Sequence, residues 1–145
     1  MTTPSILLIE DNPGDVGLWL EALGAAGISA EAVLVAVDGA RALDLLEQAA
    51  AEHRLPRLVI TDSTLPVMSG AELADRLHHH ALLCHLPVVI VTGYLPPSAK
   101  SCPAWQTWHE KPNDFNALAN LARALAVRHL AAAAGASAGD PHPRA

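Results

Sequence analysis

Four points along the chain carry side chains suited to a single reaction. The acidic pair Glu10-Asp11 closes an apolar run at 5–10 (SILLIE), Asp62 closes one at 57–62 (RLVITD), Thr92 closes one at 87–92 (PVVIVT), and Lys111-Pro112 follows a weaker run at 105–110. Carboxylates gathered in one place repel one another unless a hard cation or an ammonium offsets them, and a small set of oxygen ligands suits Mg²⁺. With a hydroxyl and an ammonium added, the set matches phosphoryl transfer to a carboxylate. The cation and Lys111 would neutralise the phosphoryl oxygens while Thr92 donates to one of them.

That chemistry requires a fold that brings residues 10, 62, 92 and 111 together. Each run is short and continuous, as in strands buried on both faces, and 32–37 (AVLVAV) is a fifth. Between the strands lie helical stripes. Val16, Trp19, Leu20 and Leu23 follow an Asn12 cap and Pro13; Leu43, Leu46 and Ala50 follow Asp38, read as a cap; Leu73, Ala74, Leu77 and Ala81 follow the capping box Ser69/Glu72. Phe115, Leu118, Leu121, Ala122 and Leu125 predict a last helix over 114–134, whereas Pro96, Pro97 and Pro103 keep any helix at 94–104 short or irregular. Strands alternating with amphipathic helices define an α/β, doubly wound parallel sheet, which binds ligands beyond the carboxyl ends of its strands. The small, Pro-containing stretch 135–145 reads as a disordered tail.

Composition excludes other classes. Nine Lys and Arg against fifteen acids, a formal charge of −6 and 3% aromatic residues leave no basic footprint or stacking platform for nucleic acid. No apolar stretch reaches the length of a membrane span, and the start carries no signal-peptide pattern, so the expected location is cytoplasmic. Cys84 and Cys102 lack metal or redox spacing and read as idle thiols. His78, His79 and His80 point about 100° apart on a helix and cannot converge on one ion, so they read as a solvated helix end. Trp19 falls on a core stripe; Trp105 and Trp108 fit either a core or an exposed contact.

Taken in order, these residues resemble the receiver domains of two-component response regulators, the family of the chemotaxis regulator. The resemblance rests on Glu10-Asp11 in IEDNPGD, Asp62 in VITDSTLPVMSG, Thr92 in VIVTG, Lys111-Pro112, and Asp38-Gly39-Ala40 with Ala42-Leu43, and it covers about 5–130. It implies a flavodoxin-like five-stranded sheet of order 2-1-3-4-5 with five helices, the fourth short or irregular, within a receiver domain at 1–134. It also implies roles. Asp62 takes a phosphoryl group from the phosphohistidine of a sensor histidine kinase, and Asp11, Asp62 and the Thr64 backbone carbonyl hold Mg²⁺, with Glu10 acting mainly through water. Lys111 pairs with the phosphoryl group, and Thr92 moves toward it, drawing a switch side chain inward. Such a module is no enzyme beyond promoting its own phosphorylation and dephosphorylation. With no room for an output domain, it would signal by contact, dimerisation or onward phosphotransfer. The opening IEDNPGDVGLWLEAL resembles single-domain regulators associated with bacterial phytochromes, which implies a bacteriophytochrome as the kinase.

The sequence departs from the family at two places. Trp108 stands at the switch position where the family has Tyr or Phe, and an indole is too large for an easy inward rotation. The prolines between Thr92 and Lys111 disturb part of the usual signalling face. Tyr94 is expected to shield the acyl phosphate from water. A haloacid-dehalogenase-type phosphatase would need a second Asp at position 64, where Thr64 stands; the remaining alternative is a phosphorylation-independent pseudo-receiver. The long Ala-rich last helix, with the fifth strand, is expected to form a homodimer.

Overall fold

The computed structural model describes residues 3–97, 99 and 105–131. Strands β1 (Ile6–Ile9), β2 (Val33–Ala36), β3 (Leu58–Asp62), β4 (Val88–Thr92) and β5 (Gln106–Glu110) form one parallel sheet in the order β2-β1-β3-β4-β5. Helices α1 (Pro13–Ala25), α2 (Gly39–Ala51), α3 (Gly70–His78) and α4 (Phe115–Ala126) connect and follow the strands. The expected strand order and doubly wound class are both present.

Alternation along the strands divides the core in two. Leu7, Ile9, Val59 and Ile90 face Ala42, Leu46, Leu73 and Leu77 of α2 and α3. Ile6, Leu8, Ile60, Val89 and Val91 face Trp19, Leu23, Leu118, Ala122 and Leu125 of α1 and α4. Strands buried on both faces have no polar alternation, which is why β1, β3 and β4 read as unbroken apolar runs. Removing one of these side chains leaves a cavity costing about 2–5 kcal/mol for a Leu or Ile cut to Ala.

The helix starts are set locally. Asn12 accepts from the Asp15 N–H at 3.1 Å ahead of Pro13, Asp38 accepts from the Arg41 N–H at 2.7 Å, and Asp114 accepts from the Ala117 N–H at 2.8 Å. Ser69 and Glu72 close the reciprocal capping box at 3.1 and 3.0 Å. These bonds satisfy amide groups that a first helical turn otherwise leaves unpaired.

Three expectations change. α3 stops at His78, before Ala81, with His79 at its cap; just beyond, the His80 Nδ1 accepts from the Leu82 N–H at 3.1 Å and its Nε2 meets Glu47 at 3.1 Å, contacts made in a turn rather than a continuing helix. Leu83, not Ala81, then enters the core. The last helix is α-helical only to Ala126 and continues as a π-helix over Val127–Ala131, with Leu130 against the core; residues 132–134 and the expected tail at 135–145 lie outside the described residues. The expected fifth helix, at 94–104, falls partly outside them as well. Its described part holds only a tight turn, in which the Ala99 N–H donates to the Pro96 carbonyl at 3.0 Å, so four α-helices stand among the described residues.

Candidate functional site

The order of the sheet makes β1 and β3 central neighbours, with Ile9 opposite Thr61. Glu10 and Asp62 each follow by one position and emerge side by side at the carboxyl edge. Carboxylate oxygens of Glu10, Asp11 and Asp62 lie within 4.8 Å of one another, the single such group of potential metal ligands among the described residues. The three acids picked out by sequence are therefore brought together.

The environments of these acids differ. Glu10 is 3% exposed, and its Oε2 accepts from the Asn12 N–H at 3.1 Å. Burial pushes its pKa up to about 7 against the opposing pull of that hydrogen bond, and Asp62 adds to the rise. Burial likewise raises Asp62, with the Thr64 N–H and Lys111 working against it. Asp11 is exposed. Three hard oxygen donors with such strong mutual repulsion fit a divalent cation of the Mg²⁺ type.

The loop after β3 fixes the Asp62 backbone. The Ser63 N–H donates to Val91 O at 3.0 Å, and the Gly70 N–H returns to Ser63 O at 2.9 Å. A Cβ at Gly70 would stand 2.5 Å from the Asp62 carbonyl oxygen, so only glycine permits this closure. Between them, Val67 has φ of 68° and is 99% exposed, while the Met68 N–H donates to Pro66 O at 2.7 Å in a tight γ-turn. That turn sends Met68 into the core against Gly39 at the start of α2. Thr64 is exposed, and its N–H donates to Asp62 Oδ1 at 3.4 Å.

Thr92 and Lys111 are joined through the backbone, Lys111 N–H to Thr92 O at 2.6 Å, which fixes both at the same edge. Their polar side-chain atoms are engaged elsewhere. The Thr92 hydroxyl donates to Tyr94 O at 3.0 Å, and Lys111 Nζ forms a 2.7 Å ion pair with Asp15 in the first turn of α1. Burial alone would lower the Lys111 pKa, but Asp15, followed by Glu10 and Asp62, outweighs it and raises the value. Sequence reasoning missed Asp15 in this role, naming it only within the motif IEDNPGD. Trp19 lines the same cleft as Glu10, Asp62 and Lys111, at the α1 side.

The remaining aromatic residues take definite places. Trp108 packs against the α2/α3 core, and its Nε1 donates to Gln106 Oε1 at 2.7 Å. Trp105 packs on the same core and stacks on His78, with ring centroids 4.2 Å apart and planes 7° apart. Of the alternatives for the two indoles, both are core-packed. His78 and His80 are thus engaged and only His79 fits a solvated helix end. Tyr94 is 74% exposed; its backbone, rather than its ring, engages Thr92. Cys84 is an exposed free thiol, and Cys102 lies outside the described residues.

A parallel sheet with clustered acids, a threonine and a lysine at its carboxyl edge defines a receiver-type module. Residues 6–101 match the model of the response regulator receiver domain, and the chain belongs to that family. It is 34% identical over 90 residues to the sensor histidine kinase TmoS of Ectopseudomonas mendocina, a match covering 62% of this chain and 8% of that protein. It is also 34% identical over 90 residues to the polar-differentiation response regulator DivK of Brucella anthropi, covering 62% of this chain and 67% of that one. Among solved structures, the phosphorylated cyanobacterial phytochrome response regulator RcpA superposes with a TM-score of 0.71 at 23% identity, over 90% of this chain and 95% of RcpA. At that identity the likeness establishes the fold. No helix among the described residues is long and apolar enough to cross a membrane.

Proposed function

We propose that this chain is a phosphoacceptor of two-component signalling and that Asp62 is the residue phosphorylated. The observation that carries the reading is the convergence of Glu10, Asp11 and Asp62 at the strand ends beside the joined Thr92 and Lys111. An Asp62 carboxylate oxygen attacks the phosphorus of a kinase phosphohistidine. The new O–P bond gives an acyl phosphate, the P–N bond breaks, and the released imidazole takes up a proton. Glu10, Asp11 and Asp62, with the Thr64 carbonyl, would hold Mg²⁺, which supplies positive charge to the phosphoryl oxygens when bound. Lys111 and Thr92 supply a cation and a hydroxyl donor to those oxygens once their present partners release them.

Beyond the family, the sensor histidine kinase is the proposed phosphodonor, and the phytochrome-like opening IEDNPGD together with the RcpA-like fold supports a bacteriophytochrome. A homodimer through α4 and β5 is supported by the edge position of β5 and by exposed Phe115 and Val127.

Incubation with Mg²⁺ and acetyl phosphate followed by intact mass tests the central step. One added phosphate that disappears in Asp62→Asn is expected. No gain of mass in the wild-type protein would favour the pseudo-receiver.

A further inference from the structure

We propose that Asp15 is a positioning residue that holds the Lys111 ammonium off Asp62, keeping the acceptor carboxylate open to the cation. The inference rests on the phosphoacceptor reading for its significance, but its test does not use phosphate.

Three carboxylates, those of Glu10, Asp15 and Asp62, act on this one lysine, and Asp15 is its side-chain hydrogen-bond partner among the described residues, at 2.7 Å. The lysine backbone cannot shift to serve another acid, because its N–H is fixed to Thr92 O at 2.6 Å. Choice among acids is therefore a matter of side-chain rotation alone. Asp15 is equally fixed: its own N–H bonds Asn12, and it sits in the first turn of α1, where the helix dipole favours an anion. Both side chains are about one-third exposed, at 35% for Lys111 and 30% for Asp15, so water screens the pair less than at an open surface.

The consequence concerns competition. An ammonium resting on Asp62 would occupy oxygens that a divalent cation needs, and its charge would repel that cation. Parked on Asp15, Lys111 still neutralises part of the cluster's field without blocking the acceptor. The phosphoryl group, arriving with its own negative charge, then gives Lys111 a stronger partner than Asp15.

The experiment is a titration with Mg²⁺ alone, followed by fluorescence of Trp19, which lines the same cleft, in a Trp105→Phe/Trp108→Phe background. Four proteins form a cycle: the parent, Asp15→Asn, Lys111→Ala, and both together. Loss of Asp15 is expected to weaken Mg²⁺ about fivefold while Lys111 is present and less than about twofold once Lys111 is gone, a non-additivity that marks coupling. Asp15→Glu, which keeps the carboxylate, should recover most of the affinity. Equal losses in both backgrounds would mean that Asp15 attracts the cation by its own charge, and no loss in either would mean that Lys111 does not compete; each overturns the inference. Thermal unfolding of Asp15→Asn separates a folding defect from this effect, and Asp15→Ser provides a second neutral variant for the cycle. Absence of phosphate on wild-type Asp62 would overturn the functional reading while leaving this cycle intact.

Discussion

Glu10 is buried among apolar strand residues at the point where the sheet meets the acidic cluster, and the proposed cation would compete with its proton. Its folded pKa of about 7 lies above the ordinary 4.5, so in the metal-free protein the native state holds an extra proton between these values. Its contribution to stability is therefore lost as pH rises through that window. A cation needs the deprotonated form. Stabilisation by Mg²⁺, measured as a rise in Tm, should grow between about pH 6 and pH 8, and Glu10→Gln should flatten that dependence. Val67 carries a second prediction at this scale. A β-branched residue in the left-handed region is strained by about 1–2 kcal/mol, and Val67 is 99% exposed with no packing to lose. Val67→Gly should stabilise the fold by about 0.5–1 kcal/mol in denaturant unfolding, after the entropy cost of glycine. Glu10, Asp11, Asp62, Thr92 and Lys111 were legible in the sequence because each ends a run whose type is decided locally. Asp15 was not: its partner lies 96 residues away, and its local context, three residues after a capping Asn, already explained it.

Elements carry these residues to their places, and two of the carriers are sharply constrained. The loop from β3 to α3 closes so tightly that Gly70→Ala must move either α3 or the Asp62 carbonyl. That variant should lose at least about 1–3 kcal/mol of stability by overpacking and take up phosphate from acetyl phosphate more slowly than wild type. On the other side, Trp108 is held by the Gln106 side chain and by the core beneath β5. A tethered indole does not rotate inward easily. In a Trp19→Phe/Trp105→Phe background, Trp108 emission should therefore change little on phosphorylation, and a large shift in its emission would show a working switch. The capping residues revealed helix starts well because capping is a contact within four residues. Helix ends were less legible: the apolar stripe reaches Ala81, but α3 ends at His78, and His80 beyond it makes its contact with Glu47, 33 residues away, which local pattern does not show.

At the scale of the whole molecule, the alternation of strands and helices disclosed a parallel sheet, whereas its order came from family resemblance, since periodicity says nothing about which strands are neighbours. The two-sided core leaves β5 at an edge, with α4 packed against α1 on one face of the sheet; Phe115 at the start of α4 and Val127 just after its end are exposed. Light scattering over a range of concentrations should give a dimer mass, shifted toward monomer by Phe115→Ser with Val127→Ser; a constant monomer mass would exclude the α4/β5 assembly.

The place of β5 as the last strand of the chain also sets an order in time. Asp62 and its neighbouring acids belong to strands made early, while Lys111 follows the last strand, 96 residues beyond Asp15. A polypeptide still emerging from the ribosome, with four strands made and the fifth unmade, has the acids without their ammonium. On the proposed function, the site is chemically complete only when synthesis has passed β5, so an unfinished chain would carry the proposed acceptor Asp62 without the ammonium proposed to pair with its phosphoryl group.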